Sequence, residues 1–189
     1  MNITPEEAQA ALNDIQHATR TAQNAFNIWA YHMLIWGSVW VICFLISQFQ
    51  PQWIPVTWTV MVLCGIVGSA VVGMVQGRRT RTAPGSRAAF IGSRLGIFYG
   101  VLYCFIILWL IIFPLTPPQV ALLWITVVMF GYINAGLWLQ QPTAIVLGVA
   151  VTCMSVIGYY LLPNYFWLWS AVFAGLPLVC LGTYLLRRK

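Results

Sequence analysis

Side chains that could carry chemistry are scarce in this chain, and carboxylates are the scarcest of them. The three acidic residues are Glu6, Glu7 and Asp14, so none of the residues from 15 to 189 is an Asp or Glu. Proton relays and cation sites inside membranes usually depend on a carboxylate, glycosidases need two, and magnesium sites need at least one. The sequence therefore argues against a coupled pump and against these kinds of catalytic site.

Histidine and cysteine offer little more. His17 and His32 cannot supply two facing imidazoles for a haem on their own. None of the five cysteines forms a CxxC pair. Cys64, Cys104 and Cys153 fall near the centres of apolar segments, where converging thiols would suit a soft ion such as Cu(I). We favour the simpler interpretation of cysteine as a small, lipid-compatible residue, and we predict no catalytic residue, cofactor or metal.

The remaining polar candidates lie within apolar segments. An amide side chain deep in an apolar helix is expected to bond to a neighbouring helix, which singles out Asn134. The candidate polar site consists of Tyr99, Tyr103, Tyr132, Asn134 and Ser155. A candidate hinge consists of Gly175 and Pro177, because a proline inside a helix removes one hydrogen bond and favours a kink.

The elements that must position these side chains are membrane-spanning helices. The chain is 61% hydrophobic and 6% charged, whereas soluble domains are about 25% charged. About 20 apolar residues cross a bilayer as a helix, and proline marks most of the breaks between such runs. We predict an all-α bundle of six transmembrane helices, at 28–47, 53–75, 95–113, 120–139, 144–162 and 166–185, forming one domain over 28–189.

The basic residues indicate the orientation of this bundle. All nine fall before the first span, between the second and third spans, or at the carboxyl end. Basic residues are retained on the cytoplasmic side, so both termini are predicted to be cytoplasmic, in a plasma membrane or a bacterial-type inner membrane. A basic cluster beside a span attracts anionic lipid headgroups, and the candidate headgroup contacts are Arg78, Arg79, Arg81 and Arg87. No base-reading pattern accompanies them, so nucleic acid is not an expected partner.

Residues 1–27 are predicted to form a cytoplasmic amphipathic helix that leads into the first span. Thr4 and Glu7 are placed to form a capping box, with Pro5 at the first helical position. Apolar residues then recur at intervals of three and four. This stripe could dock a protein partner or a second copy, or it could lie on the membrane. The candidate docking face is Ala8, Ala11, Leu12, Ile15, Ala18 and Ala22.

Small residues recur at intervals of four in several spans, a pattern that lets helices approach closely in lipid. We expect them to pack the bundle internally rather than to form a dimer seam, with the second and third spans as a tight pair. The candidate packing residues are Gly65, Ser69, Gly73, Gly92, Gly96 and Gly100.

These features together favour a non-catalytic membrane component, such as a regulatory subunit, a sensor or a scaffold that docks a partner. A passive transporter or channel for a neutral or apolar solute or lipid is the alternative, with a path around Asn134 and Pro177. An enzyme ranks third because carboxylates are missing from the spans.

Overall fold

The computed structural model describes residues 29–79 and 87–187, together with the single residue Gln9. In this part of the chain, helices are joined by short connections and no β-strand occurs. The first five helices are α1 Trp29–Phe49, α2 Ile54–Arg79, α3 Arg87–Ile112, α4 Pro117–Leu139 and α5 Pro142–Leu161. The sixth, α6, comprises Phe166–Ser170, a π-helical turn at Ala171–Gly175 and Leu176–Arg187. For these residues the all-α prediction is confirmed.

Five of the six helices are long and apolar enough to cross a membrane, and α3 contains a shorter apolar stretch, Gly96–Ile112. The helix ends lie within a few residues of the predicted ones, except that α2 extends to Arg79 and α3 already begins at Arg87. Prolines occupy the first turns of α4 and α5, where the missing amide hydrogen costs no helical hydrogen bond.

Four helices, α1, α4, α5 and α6, form the core of the bundle. In its most apolar stretch α1 is 44% buried, against 6% for α2, so α1 lies inside and α2 at the periphery. Phe44 of α1 is fully buried, and its ring centroid lies 5.3 Å from that of Trp58 and 6.1 Å from that of Trp167. Buried side chains of α4 and α5 complete the same cluster, among them Ile125, Met129 and Val151.

The first and last of these helices cross with their backbones close together. A Cβ atom placed on Gly37 would lie 2.9 Å from the backbone nitrogen of Val179, and one on Gly175 would lie 3.0 Å from that of Val41. Gly182 meets the beginning of α1 in the same way. Residue numbers rise along α6 as they fall along α1, so the two helices are antiparallel.

The other two helices each lie against one side of this core. Two hydrogen bonds join α2 to α1: Trp36 Nε1 donates to Ser69 Oγ at 3.0 Å, and Trp58 Nε1 donates to Ser47 Oγ at 3.1 Å. Helix α3 lies on α4, where the ring of Tyr99 covers Gly131. Large apolar side chains on the outer surfaces of both helices are exposed.

Candidate functional site

The predicted polar site is only partly assembled in the structure. Tyr99 and Tyr103 of α3 lie side by side with ring centroids 6.2 Å apart, and Tyr103 also packs against Trp124 of α4 at 5.8 Å. Tyr132 of α4 packs against Trp29 of α1 at 5.3 Å. The three tyrosines therefore join α3, α4 and α1 through ring contacts, as packing residues do.

The other two members of the predicted site lie elsewhere. Asn134 is half-buried on α4. Ser155 is fully buried on α5, seven residues beyond Gly148, which packs against the Met129 carbonyl of α4. Seven helical residues advance about 10 Å, so Ser155 lies about two turns along the bundle from the level of Tyr132. The structure thus brings Tyr99 and Tyr103 together and places Ser155 at a different level from Tyr132.

The surroundings of Ser155 are unusual for a buried hydroxyl. Ser155 Oγ and Ser170 Oγ are both buried without a hydrogen-bond partner among the described residues. Buried polar atoms are nearly always bonded, and Thr152 on the same helix does bond to the Gly148 carbonyl at 2.8 Å. Ser155 on α5 and Ser170 on α6 flank the place where these two helices are joined.

That join is made by Trp169 of α6. Its indole Nε1 donates a hydrogen bond to the Met154 carbonyl of α5 at 2.7 Å, and its ring covers Gly158. A side chain at position 158 would overlap the indole, so glycine is required there for the helices to approach. Ring and hydrogen bond together fix the contact between α5 and α6 beside the two serines.

Helix α6 is irregular next to the predicted hinge. The π-helical turn Ala171–Gly175 ends with a bond from the Leu176 amide to the Ala171 carbonyl, two residues before Pro177. A π-turn widens the helix locally and is often found at functional sites. Gly175, however, is held against the backbone of α1 at Val41. The π-turn therefore lies at the position of the predicted hinge, and bending at Gly175 and Pro177 stays a prediction.

The small residues spaced four apart on α2 and α3 have different surroundings. Gly65 lies against the indole ring of Trp36, and Ser69 accepts its hydrogen bond, so both contact α1. A Cβ atom at Gly73, Gly96 or Gly100 would meet no atom of the described residues within 4 Å. Among the described residues, therefore, nothing packs closely against these three glycines, and α2 and α3 do not form the expected tight pair. The reason is that α1 and α4, rather than each other, supply their neighbours.

The cysteines at mid-span do not point into the bundle. Cys64, Cys104 and Cys153 are exposed, whereas Cys43 of α1 is buried in the core. No group of three or more His, Cys, Asp or Glu side chains occurs within the residues that the structure describes. The alternative of converging thiols therefore finds no support in this geometry.

Several predicted positions lie outside the described residues. They are the whole candidate docking face, Ala8, Ala11, Leu12, Ile15, Ala18 and Ala22, and the headgroup candidate Arg81. Arg78 and Arg79 end α2, Arg87 begins α3, and Gly92 follows within α3, but the surroundings of these four residues are not described.

One polar residue that the sequence did not single out connects three segments. The side-chain amide of Gln48, near the end of α1, donates to the Asn164 carbonyl at 3.1 Å and accepts from the Leu168 amide at 3.2 Å. The Leu168 amide lies in the first turn of α6, where helical amides lack an internal acceptor. Gln48 therefore caps α6 from α1. The only sign of this role in the sequence is that a polar glutamine follows directly after the predicted span 28–47.

The chain was compared with protein-family models, with curated proteins and with solved structures, and none of them matches it. The geometry described above is therefore the basis for any functional conclusion.

Proposed function

We propose that this chain is an integral membrane protein that crosses the bilayer six times and acts as a non-catalytic component by contacting a partner. The membrane location is supported by five helices of sufficient length and apolarity. It is supported also by exposed apolar side chains such as Ile97, Ile111 and Leu161, at 67%, 77% and 73% exposure. Leaving such surfaces in water would be unfavourable.

Both termini are proposed to lie in the cytoplasm. Helix α1 runs antiparallel to α2 and α6, so the end of α2 and the end of α6 lie at the same end of the bundle as the start of α1. Arg78, Arg79 and Arg187 belong to that end. The positive-inside rule assigns it to the cytoplasm.

The non-catalytic role is supported by how the interior is filled. Aromatic and aliphatic side chains close the centre around Phe44, and the indole groups of Trp36, Trp58 and Trp169 are engaged in bonds between helices. These are contacts that hold a scaffold together.

One observation carries the proposal of a partner: Gly96 and Gly100 present an open groove on α3, because a Cβ atom added at either glycine would have no atom of the described residues within 4 Å. Small residues four apart allow another helix to approach closely in lipid. We infer that a membrane helix of a partner, or of a second copy, packs here. The predicted amphipathic helix at 5–27 would add a cytoplasmic contact.

Affinity purification from gently solubilised membranes tests this proposal. A stoichiometric partner or a homo-oligomer is expected with the full chain, and it should be lost in a Gly96→Leu/Gly100→Leu double variant or on deletion of residues 5–27. The matched control is Ile97→Leu/Val101→Leu, which alters exposed residues on another side of α3. A monomer with the full chain, or equal recovery with all variants, would contradict the proposal.

A passive path for a small neutral solute is the second candidate. Its support is the pair of buried, unbonded hydroxyls at Ser155 and Ser170, beside the π-turn of α6. Solute flux into liposomes that contain only this protein tests it. Flux should fall with Ser170→Val and persist with Ser38→Val, which changes an exposed serine of α1. Empty and protein-containing liposomes with equal flux would rule the path out.

A further inference from the structure

An apolar groove lies on the outside of the bundle between α5 and α6. Its volume is about 650 Å³, and its walls include Pro142, Val146 and Ala150 of α5 and Pro177, Cys180 and Tyr184 of α6. Sites that hold small molecules typically enclose about 300–1,000 Å³. The groove is therefore large enough for a ligand.

The length of the groove matches one leaflet of a bilayer. A helix rises about 1.5 Å per residue, so the wall from Pro142 to Ala150 is about 12 Å long and the wall from Pro177 to Tyr184 about 10 Å. Half of a hydrocarbon core is about 15 Å thick. The groove starts at the end of the bundle where α5 begins and α6 finishes, and it stops near mid-membrane at Ala150 and Pro177.

A positive charge lies beyond the end of the groove where α6 finishes. Arg187 is exposed on α6, three residues after Tyr184 and seven after Cys180. Residues three, four and seven apart share one side of a helix, so Arg187 continues the wall formed by Cys180 and Tyr184. No Asp or Glu occurs within 29–79 or 87–187 to neutralise it, and the sequence adds Arg188 and Lys189.

We propose that this groove binds one anionic phospholipid of the bilayer. An acyl chain lies against Val146, Ala150 and Pro177, and the headgroup phosphate lies beside Arg187. An apolar wall one leaflet deep with a cation at its end complements such a lipid in length, polarity and charge. The inference rests on the membrane location proposed above, but it does not require a protein partner.

Native mass spectrometry of the purified full chain in mild detergent tests the site. The probes are phosphatidylglycerol and phosphatidylcholine with identical acyl chains. Phosphatidylglycerol is expected to bind more tightly, and Arg187→Gln should reduce its affinity about fivefold while leaving phosphatidylcholine unchanged. The charge-matched control is Arg94→Gln, on α3, which does not line the groove, and it should leave both affinities as they were.

A second pair of variants tests the groove itself. Ala150→Phe fills its deep end and should weaken binding of both lipids at least about tenfold. Val149→Phe adds a larger side chain at the neighbouring, exposed position outside the groove and should have no effect. The site would be overturned if the Ala150 and Val149 variants bound lipid equally well, or if the two arginine variants changed phosphatidylglycerol affinity equally.

The outcomes separate this site from the proposed function. Altered lipid binding by the Ala150 or Arg187 variant with unchanged partner recovery supports the lipid site alone. A protein recovered in the soluble fraction without detergent would instead overturn the membrane location on which both proposals depend.

Discussion

The indole of Trp36 on α1 donates a hydrogen bond to the hydroxyl of Ser69 on α2, and the nitrogen and oxygen are 3.0 Å apart. A second bond repeats this chemistry with the helices exchanged, from Trp58 on α2 to Ser47 on α1. From the first pair to the second, the position on α1 advances by eleven residues and the position on α2 falls by eleven. The two antiparallel helices therefore keep the same register between the two bonds. The two bonds therefore hold α2 at two levels about 16 Å apart along α1, at 1.5 Å per residue.

Removing either bond should weaken the attachment of α2. We expect Trp36→Phe or Ser69→Ala to lower the free energy of unfolding by about 0.6 kcal/mol and by no more than about 1.7 kcal/mol, the average and the maximum for hydrogen bonds between membrane helices. A double-mutant cycle in detergent or bicelles measures the coupling between the two side chains. If the changes in unfolding free energy of the two single variants add up to that of the double variant, the bond contributes nothing to stability.

The same substitution should destabilise the protein at Gly37 and leave its stability unchanged at Gly96. Gly37→Leu would place a side chain against the backbone of α6, and overpacking of this kind costs about 1–3 kcal/mol or more. Gly96→Leu projects into open space and should leave the unfolding free energy of the isolated chain unchanged. Thermal unfolding of the two purified variants measures the difference. Equal melting temperatures would contradict the α1–α6 crossing described here.

Gln48 should stabilise the beginning of α6. Gln48→Leu keeps the volume of the side chain but removes both of its hydrogen bonds, at an expected cost of about 1–3 kcal/mol. Faster proteolysis of the connection at 162–165 should accompany the loss. The control is Gln52→Leu, since Gln52 is exposed in the turn before α2. A Gln48 variant that resists protease as the parent chain does would exclude the capping role.

The hydroxyls of Ser155 and Ser47 should differ in what they contribute. Ser47 accepts a hydrogen bond from Trp58, so Ser47→Ala should destabilise the chain by about 1 kcal/mol. Ser155 has no partner in the described residues, and removing an unbonded buried hydroxyl is neutral or stabilising. Denaturation of both variants in detergent compares them. A clear loss of stability in Ser155→Ala would mean that this hydroxyl binds something in the native protein.

Helix positions were accessible from sequence because apolar runs and prolines mark them directly. The runs predicted at 28–47, 120–139 and 144–162 correspond to α1, α4 and α5. Which helices pack against each other could not be predicted in the same way. Apolar residues surround most of these helices on all sides, so no polar stripe tells which side faces the interior.

The error over α2 and α3 illustrates this limit. Glycines at intervals of four allow close approach but do not name the partner. In the structure Gly65 contacts an indole ring of α1, while Gly96 and Gly100 have no close neighbour among the described residues. The candidate site was limited for the same reason. Tyr99 and Tyr103 do adjoin each other, but the level of Ser155 depends on the register between α4 and α5, which composition does not encode.

The crossing of α1 with α6 has a consequence for biosynthesis. Of the described helices, α1 precedes all the others in translation and α6 follows them, and the two meet at Gly37, Gly175 and Gly182. Until α6 emerges from the ribosome, α1 lacks this part of its contacts. A chain that terminates before α6 would leave Gly37 of α1 uncovered, and quality-control proteases would be expected to degrade such truncated products. For the membrane location proposed above, ribosome arrest just before Phe166 should leave α1 accessible to crosslinking with the insertion machinery.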